Sequence, residues 1–305
     1  MTYRAYGRVV ASDLPLPELE AASGTTEITI SWSARVPVGA GAEWKTLWRF
    51  STGEPWVTTA HVNGVRFLRF GRFADCATSE GRIDVSRRGH ASDSTIRHLV
   101  LDQALPLALA ATGALVVHAS ALAIGSRAIL LAGRAGAGKS TLAAFLAGHR
   151  MQVLADDGAL LDGEPAEIRV LPSYPGLRLY HDSAAAAALD VSRSTDVAAY
   201  TKKRRIVPPV ESDRGAAGPY TLAAIYVLCS ADGPIAFDRL SRRDATLEVL
   251  SHAYRIDPGD RSALPAQLNA VAAIAPPVWR VSYPRDLARA AAVAESIASH
   301  AAELG

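Results

Sequence analysis

A glycine-rich segment in the middle of the chain has the residue types of a phosphate-binding loop. Gly133 to Ser140 satisfy the pattern GxxxxGK followed by Ser or Thr, between an apolar run and a helix-forming run. Small residues let successive backbone N–H groups turn around a phosphate, and the start of the following helix adds a favourable dipole. The pattern predicts that nucleotide phosphates are bound by Gly133, Arg134, Ala135, Gly136, Ala137, Gly138, Lys139, Ser140 and Thr141.

Three side chains of this segment have separate expected tasks. Lys139 is expected to bridge the β- and γ-phosphates, and the Ser140 hydroxyl to bind Mg²⁺. Thr141 is placed to contact the α-phosphate. ATP and Mg²⁺ are therefore the expected cofactors.

Two adjacent carboxylates, Asp156 and Asp157, follow this segment at the end of a short apolar run. The end of a parallel strand is where open α/β sheets place catalytic groups. One carboxylate could hold Mg²⁺ directly or through water, and its neighbour could accept a proton from a nucleophile. Because successive strand residues point to opposite faces, both can serve one site only if the strand bends or ends there.

Two further features have both a structural and a catalytic interpretation. His118 ends an apolar run before the glycine-rich segment, a position where a histidine is more often structural. The cations of 202–205 form a solvated loop, or one or two of them, Lys203 and Arg204 above all, contact the phosphate or substrate. Arg178 and His181 are weaker candidates.

The elements that position these residues differ between the two ends of the chain. Residues 1–95 contain short β-rich runs separated by Gly, Pro and Asp, and predict a small β-rich domain. Substrate recognition is the task expected of this domain if the second part is catalytic. Residues 96–305 alternate between strands and helices and predict an α/β catalytic domain. The β-rich runs of the first part include 27–32, 44–50, 61–70 and 82–86, and the predicted strands of the second part include 220–230 and 278–283. The predicted helices are a segment capped by Ser94, 139–147, 184–189, 243–254, 262–274 and 286–302.

Composition excludes several classes of protein. The 305 residues are 49% hydrophobic, and 32 basic and 30 acidic residues leave a net charge of +2, so neither nucleic acid nor a membrane surface is an expected partner. Cys76 and Cys229 lie far apart, which disfavours a zinc site or a disulfide framework. With no secretory signal and no 18-residue apolar run, a cytoplasmic location is expected.

The order of the motifs resembles the HPr kinase/phosphorylase family and its relatives. The stretches that carry the resemblance are HASA at 118–121, AILLAGRAGAGKST at 128–141 and VLADDGALL at 153–161. In that family a histidine lies on the strand before the loop strand, and an Asp-Asp pair follows the loop helix. Residues 6–19 and 95–122 are also similar to related kinases from peptide-modification gene clusters, so the likeness covers most of the chain.

The resemblance implies a P-loop kinase domain related to phosphoenolpyruvate carboxykinase, preceded by the small β-rich domain, and ATP-dependent transfer of phosphate to serine. It implies that Asp156 is the general base and that Asp157 joins Ser140 in placing Mg²⁺. His118 then lies beside Asp156 and adjusts its basicity, and Lys139 is the third catalytic residue. A homo-oligomer is also implied.

Two departures from the family narrow the expected activity. Where members that dephosphorylate HPr have a Glu-Ile-Arg-Gly-Leu-Gly type of segment, 171–180 reads LPSYPGLRLY, and Thr141 stands where HPr kinases usually have Glu. Phosphorylase activity and HPr as substrate are therefore not expected. In similar relatives the acceptor is a serine of a peptide, including lasso-peptide precursors, so a serine-containing peptide or small protein is the expected partner. An ATPase, a nucleotide-binding regulatory protein and a small-molecule kinase remain as alternatives.

Overall fold

The computed structural model describes residues 1–38, 41–149, 151–164, 167–208, 219–254, 264–274 and 276–304. They divide into two compact units. Unit 1 contains residues 1–113 and 197–202, and unit 2 contains 114–196, 203–254 and the described residues from 264 onward. The functional domain boundary at residues 95 and 96 stays a prediction.

Unit 1 is built on one nine-stranded mixed sheet with the order β3-β1-β2-β4-β9-β8-β7-β6-β5. Its strands are β1 (Thr2–Ala5), β2 (Arg8–Ser12), β3 (Glu20–Ala21), β4 (Ile28–Trp32), β5 (Lys45–Arg49), β6 (Pro55–Val62), β7 (Val65–Phe70), β8 (Ala74–Ser79) and β9 (Arg82–Arg87). The strand pairs β2–β4 and β4–β9 are parallel. The prediction of a β-rich N-terminal region agrees with this sheet.

The structure refines one local interpretation in unit 1 and contradicts another. The β-rich run 61–70 contains the end of β6 and all of β7, which turn at Asn63 and Gly64, whose φ angles of 50° and 77° suit a tight hairpin. The cap of the following helix is Ser92 rather than Ser94, since the Ser92 hydroxyl accepts from the Thr95 N–H. The helical region comprises α1 (Asp93–Leu99), a π-helical turn (Val100–Ala104) and α2 (Leu105–Ala111).

Unit 2 contains a nine-stranded mixed sheet and a small three-stranded sheet. The large sheet consists of β10 (Leu115–Val117), β11 (Ala119–Ile124), β12 (Arg127–Ala132), β13 (Gln152–Ala155), β14 (Ala159–Glu164), β15 (Glu167–Pro172), β19 (Tyr220–Ser230), β20 (Ala236–Arg239) and β21 (Val278–Tyr283). The small sheet consists of β16 (Leu177–Leu179), β17 (Thr195–Asp196) and β18 (Arg204–Ile206). The helices are α3 (Lys139–Ala147), α4 (His181–Ala186), α5 (Arg242–His252), α6 (Leu264–Ile274) and α7 (Ala290–Glu303), with a 3₁₀ turn at Leu287–Arg289.

Helices cover both faces of the large sheet. Alternate residues of β12 separate into two cores, because successive strand side chains point to opposite faces. Ile129 and Leu131 pack with residues of α3 and α7, whereas Leu130 packs with residues of α5 and α6. All three are fully buried, and burial of such a side chain contributes about 1.5–3 kcal/mol. Unit 2 is therefore a three-layer α/β structure, as the α/β pattern predicts.

Strand direction brings distant segments to one edge of this sheet. β12 runs parallel to β19, and β19 runs parallel to β21. β11 is antiparallel to both β12 and β13, so β13 runs in the direction of β12. The carboxyl ends of β12, β13 and β21 therefore share an edge with the amino end of β11. The segments at this edge begin with Gly133, Asp156 and Pro284 and end with His118.

Several predicted elements of unit 2 coincide with the structure. The strands at 220–230 and 278–283 have the predicted bounds. Ser241 caps α5, accepting from the Asp244 N–H at 3.2 Å and donating to Asp244 Oδ2 at 2.7 Å. The last helix begins at Ala290 rather than at 286, and the alanine-rich helix ends at Ala186. Within the described ranges, no helix has both the length and the apolar character required to cross a membrane.

Candidate active site

The glycine-rich segment forms a loop between β12 and α3 that requires unusual backbone angles. Gly133, Gly136 and Gly138 have φ angles of 153°, 77° and 98°. These values lie where side chains other than hydrogen are strained. A Cβ atom on Gly133 would also lie 3.1 Å from the Cβ of Ala137. The glycine positions of the pattern are therefore required by the path of the backbone.

Hydrogen bonds hold this loop closed. The Lys139 ammonium is buried and donates to the main-chain oxygen of Gly133 at 2.9 Å. Burial lowers the pKa of Lys139, against the opposing effect of the charges of Asp157 and Asp156. The hydroxyl of Tyr283 donates to the Ala137 oxygen at 2.9 Å, and burial raises the pKa of Tyr283 to about 12, so it stays protonated. The Lys139 side chain thus crosses the loop to Gly133, and its ammonium interacts electrostatically with Asp157 and Asp156.

A cavity of about 450 Å³ lies against this loop, within the range of small-molecule sites. All of its lining residues belong to unit 2. Of the predicted phosphate-binding residues it includes Ala135, Gly136, Ala137, Gly138, Lys139, Ser140 and Thr141. The remaining two, Gly133 and Arg134, are not among the lining residues. The cavity also meets His118, Asp157, Arg178, Tyr180, Lys203 and Arg285.

Asp156 is buried beneath the site, with only 3% of its surface exposed. Ser120 Oγ donates to Asp156 Oδ1 at 2.7 Å, and the main-chain N–H of Arg178 donates to Asp156 Oδ2 at 2.8 Å. Burial raises the pKa of Asp156, while the charge of Arg178 and these hydrogen bonds act in the opposite direction. Asp156 does not line the cavity. Its carboxylate is therefore an anchor for neighbouring segments rather than a surface for a ligand.

Asp157 faces the cavity instead. Its Oδ2 lies 2.7 Å from Arg178 Nη1, and its Oδ1 lies 3.4 Å from His118 Nδ1. The two carboxylates diverge because β13 ends at Ala155, after a bulge in its pairing with β11. The condition stated from the sequence, that the strand ends before the pair, is met, yet only one of the two carboxylates reaches the cavity.

His118 is held by contacts on one side of its ring. Its Nδ1 lies 3.1 Å from the main-chain oxygen of Asp157, which also accepts from the Tyr254 hydroxyl at 3.0 Å. The Tyr254 ring packs edge-on against the imidazole, with centroids 5.9 Å apart. Burial lowers the pKa of His118, with Asp157 opposing and Lys139 adding to the effect. Burial therefore favours the neutral imidazole over the imidazolium.

The run of four cations is divided between different surroundings. Lys203 lines the cavity, with Nζ 5.5 Å from the centre of the Tyr180 ring. Arg204 binds Asp196 and donates to the Ser194 main-chain oxygen at 2.8 Å, and it does not line the cavity. Of the two cations predicted to contact phosphate or substrate, the structure places only Lys203 at the site.

Several residues at the cavity were missed or underrated from the sequence. Arg178 was only a weak candidate, although it contacts both carboxylates. Tyr283 is the last residue of β21 and Arg285 lies two positions beyond it, and a search of the residues at the end of each strand would have found both. Arg285 Nη2 lies 3.5 Å from the position of a Cβ on Gly136, directly beside the loop. Tyr254 follows α5 without any local sequence signal.

The donor atoms at the cavity fit a magnesium ion bound together with a nucleotide. The Ser140 hydroxyl and the Asp157 carboxylate line the same cavity and supply oxygen, the ligand that Mg²⁺ prefers. No group of three or more His, Cys, Asp or Glu side chains in the described ranges could hold a metal ion by itself. Mg²⁺ in nucleotide sites usually takes its other ligands from phosphates and water.

The chain has little detectable similarity to known proteins. No protein-family model matches the chain, and no curated protein matches it. Among solved structures, the chain is similar to the Hpr(Ser) kinase/phosphatase from Coxiella burnetii, with a TM-score of 0.32 and 12% sequence identity. The match covers 62% of this chain and 97% of the other. The family is not established by this likeness, so function has to be inferred from the residues of the cavity.

Proposed function

We propose that this protein is an ATP- and Mg²⁺-dependent kinase that transfers the terminal phosphoryl group of ATP to a hydroxyl group. The observation that carries the proposal is that one cavity of about 450 Å³ is lined by Lys139, Asp157 and His118 together. Phosphate-binding groups and groups able to orient or deprotonate a nucleophile thus share one space. Phosphoryl transfer requires both sets, because it depends on positioning and electrostatic stabilisation.

The loop side of the cavity supports binding of the nucleotide. Backbone N–H groups of the loop and the start of α3 favour anions, and Lys139 adds a buried positive charge. The Lys139 ammonium now bonds to the Gly133 oxygen, and a phosphate would give it a charged acceptor in place of this neutral one. Mg²⁺ held by Ser140, and through water by Asp157, would neutralise charge on the β- and γ-phosphates.

Other lining residues support activation of the acceptor hydroxyl. Asp157 and His118 face the cavity, whereas both oxygens of Asp156 accept hydrogen bonds within the protein. We assign Asp156 a positioning role, in place of the base role expected from the sequence resemblance. Arg178 and Lys203 supply positive charge at the cavity, where the transferring phosphoryl group gathers negative charge.

The class of acceptor is proposed from the sequence resemblance. A serine hydroxyl of a peptide or small protein, including a lasso-peptide precursor, is the proposed acceptor, and recognition by unit 1 is part of the same proposal. Reverse phosphorylase activity is not proposed, because the segment at 171–180 departs from the family signature. A homo-oligomer and a cytoplasmic location stay predictions.

The test is a phosphotransfer assay with purified protein, γ-labelled ATP, Mg²⁺ and two kinds of acceptor: HPr and serine-containing precursor peptides from the same genome. Label is expected on a peptide serine, and Lys139→Ala should abolish it while Arg204→Ala, at a residue bonded outside the cavity, should retain it. Rapid release of labelled inorganic phosphate without an acceptor would show an ATPase instead. Tight ATP binding without turnover would show a nucleotide-binding regulatory protein, and label only on small molecules would show a small-molecule kinase.

A further inference from the structure

The contacts of His118 determine which nitrogen of its ring carries hydrogen. Nδ1 lies 3.1 Å from the main-chain oxygen of Asp157, and a carbonyl oxygen can only accept a hydrogen bond. Nδ1 is therefore the donor. In the neutral imidazole the hydrogen on Nδ1 leaves a lone pair on Nε2. The carboxylate of Asp157, 3.4 Å from Nδ1, favours the same tautomer.

The other ring nitrogen is available to a ligand. His118 lines the cavity, and 34% of its side chain is exposed. Both close polar contacts of the ring involve Nδ1, and none of the residues that the structure describes forms a hydrogen bond with Nε2. The edge-on contact with Tyr254 limits rotation of the ring. His118 therefore presents an oriented acceptor to the cavity.

Neither aspartate offers an acceptor of this kind. Both oxygens of Asp156 already hold donors, Ser120 Oγ and the Arg178 N–H, in a buried position. Asp157 Oδ2 is paired with Arg178 Nη1 at 2.7 Å, and an ion pair of this kind stabilises the charged carboxylate and weakens it as a base. Asp157 Oδ1 lies on the Nδ1 side of the histidine. Among these three side chains, the geometry favours the histidine for proton transfer.

We propose that Nε2 of His118 is the proton acceptor for the attacking hydroxyl, and that Asp157 orients the ring through its main-chain oxygen and its carboxylate. The assignment rests on the proposed kinase function. The hydroxyl proton moves to Nε2, and the electron pair of the broken O–H bond stays on the oxygen, which forms a bond to the γ-phosphorus of the nucleoside triphosphate. The bond from that phosphorus to the β-bridging oxygen breaks, and its electron pair leaves with the diphosphate. The imidazolium then releases its proton to water.

The discriminating variant is His118→Asn in the full-length protein. The asparagine amide nitrogen occupies the place of Nδ1 and can still donate to the Asp157 oxygen, but the residue has no counterpart of Nε2. If His118 is the base, phosphotransfer to the acceptor peptide should fall about 10²- to 10⁴-fold, the usual contribution of a general base, with ATP affinity retained. If the histidine only orients Asp157, the variant should transfer within about threefold of the wild-type rate, which would overturn the proposal.

Chemical rescue provides a second readout. His118→Ala leaves space beside Asp157, and free imidazole should restore phosphotransfer at least tenfold, with stronger imidazole bases restoring more. A rate that imidazole does not change would overturn the assignment, and ATP binding by the variant shows that it is folded. Wild-type transfer is measured first: if it is absent, the proposed function fails and takes this assignment with it. An active wild type with an active asparagine variant removes only the assignment.

The tautomer can be measured without any substrate. In protein labelled with ¹⁵N at histidine, the resonances of His118 are identified by their loss in His118→Asn. The hydrogen bond to the Asp157 oxygen requires hydrogen on Nδ1, and the proposal requires an unprotonated Nε2 in the resting protein. Hydrogen on Nε2 instead would overturn the proposal.

Discussion

Arg178 Nη1 lies 2.7 Å from Asp157 Oδ2, and this ion pair joins the small sheet of unit 2 to the end of β13. The same residue donates its main-chain N–H to Asp156 at 2.8 Å. One arginine therefore holds two adjacent carboxylates in different orientations, one buried and one at the cavity. This division leads to different expected effects of substitution at the two aspartates.

Asp156→Ala should act mainly on stability. It removes the acceptor of two buried donors, from Ser120 and Arg178, and takes one charge from a buried ion pair. The free energy of unfolding should fall by roughly 2–5 kcal/mol. Urea denaturation followed by circular dichroism measures the change.

Asp157→Ala is the matched comparison for Asp156→Ala, because it removes the neighbouring carboxylate at the cavity. Its side chain is 19% exposed at the cavity, so the loss of stability should be smaller, while phosphotransfer should fall at least about 10²-fold. Equal stability of Asp156→Ala and the wild type, together with a loss of transfer equal to that of Asp157→Ala, would contradict the separate roles.

Lys203 and Arg204 are neighbours with different expected effects. Lys203→Ala removes a cation from the cavity and should lower kcat by about 10- to 10³-fold, as loss of an electrostatic stabiliser does. Arg204→Ala removes only a surface ion pair with Asp196 and bonds to Ser194, and should change kcat by less than about threefold. Steady-state phosphotransfer kinetics measure both. Equal losses in the two variants would place Arg204 at the site after all.

Gly138→Ala tests whether the path of the loop matters for the nucleotide. Gly138 has a φ angle of 98°, where a Cβ atom costs about 1–2 kcal/mol, so alanine should displace the loop and weaken ATP binding at least about tenfold. Gly125, with a φ angle of 62° and no atom within 4 Å of its Cβ position, is the matched control in the β11–β12 turn. Gly125→Ala should lose stability without losing ATP affinity. Titration calorimetry with ATP separates these results, and equal Kd changes would show a general effect of strain.

His252 should make the fold sensitive to acid. Burial lowers its pKa from 6.5 to about 4, with Lys139, His118 and Arg134 adding to the effect. Between these values the unfolded chain binds more protons than the folded chain, so the free energy of unfolding falls as the pH falls through this range.

His252→Gln removes this titration. Between pH 7.5 and 5.0 the wild type should lose about 2 kcal/mol more of its free energy of unfolding than the variant. Urea denaturation at the two pH values gives both differences. The same pH dependence in both proteins would show that His252 does not titrate in this way. In the folded protein the His252 side chain is only 10% exposed, and this burial disfavours its protonated form.

Local patterns explain why part of the site could be predicted from the sequence. The strand, loop and helix around Gly133 to Lys139 follow from short-range requirements: apolar residues in the strand, glycines where φ is positive and backbone donors at the helix start. The cap at Ser241 likewise depends on a residue three positions away. The apolar run 220–230 predicts a strand by its pattern, and most residues of that strand are buried.

The division of labour within the site was decided by long-range pairing. The sequence alone determined that a phosphate-binding pattern, an aspartate pair and a preceding histidine occur in order. The tertiary structure decided that Asp157 rather than Asp156 faces the cavity, because Ser120 of β11 and Arg178 of β16 both donate hydrogen bonds to Asp156 after β13 ends. It also decided that Lys203 reaches the cavity and Arg204 does not. Such contacts join residues 22 to 36 positions apart, and no local periodicity or spacing encodes which atoms meet.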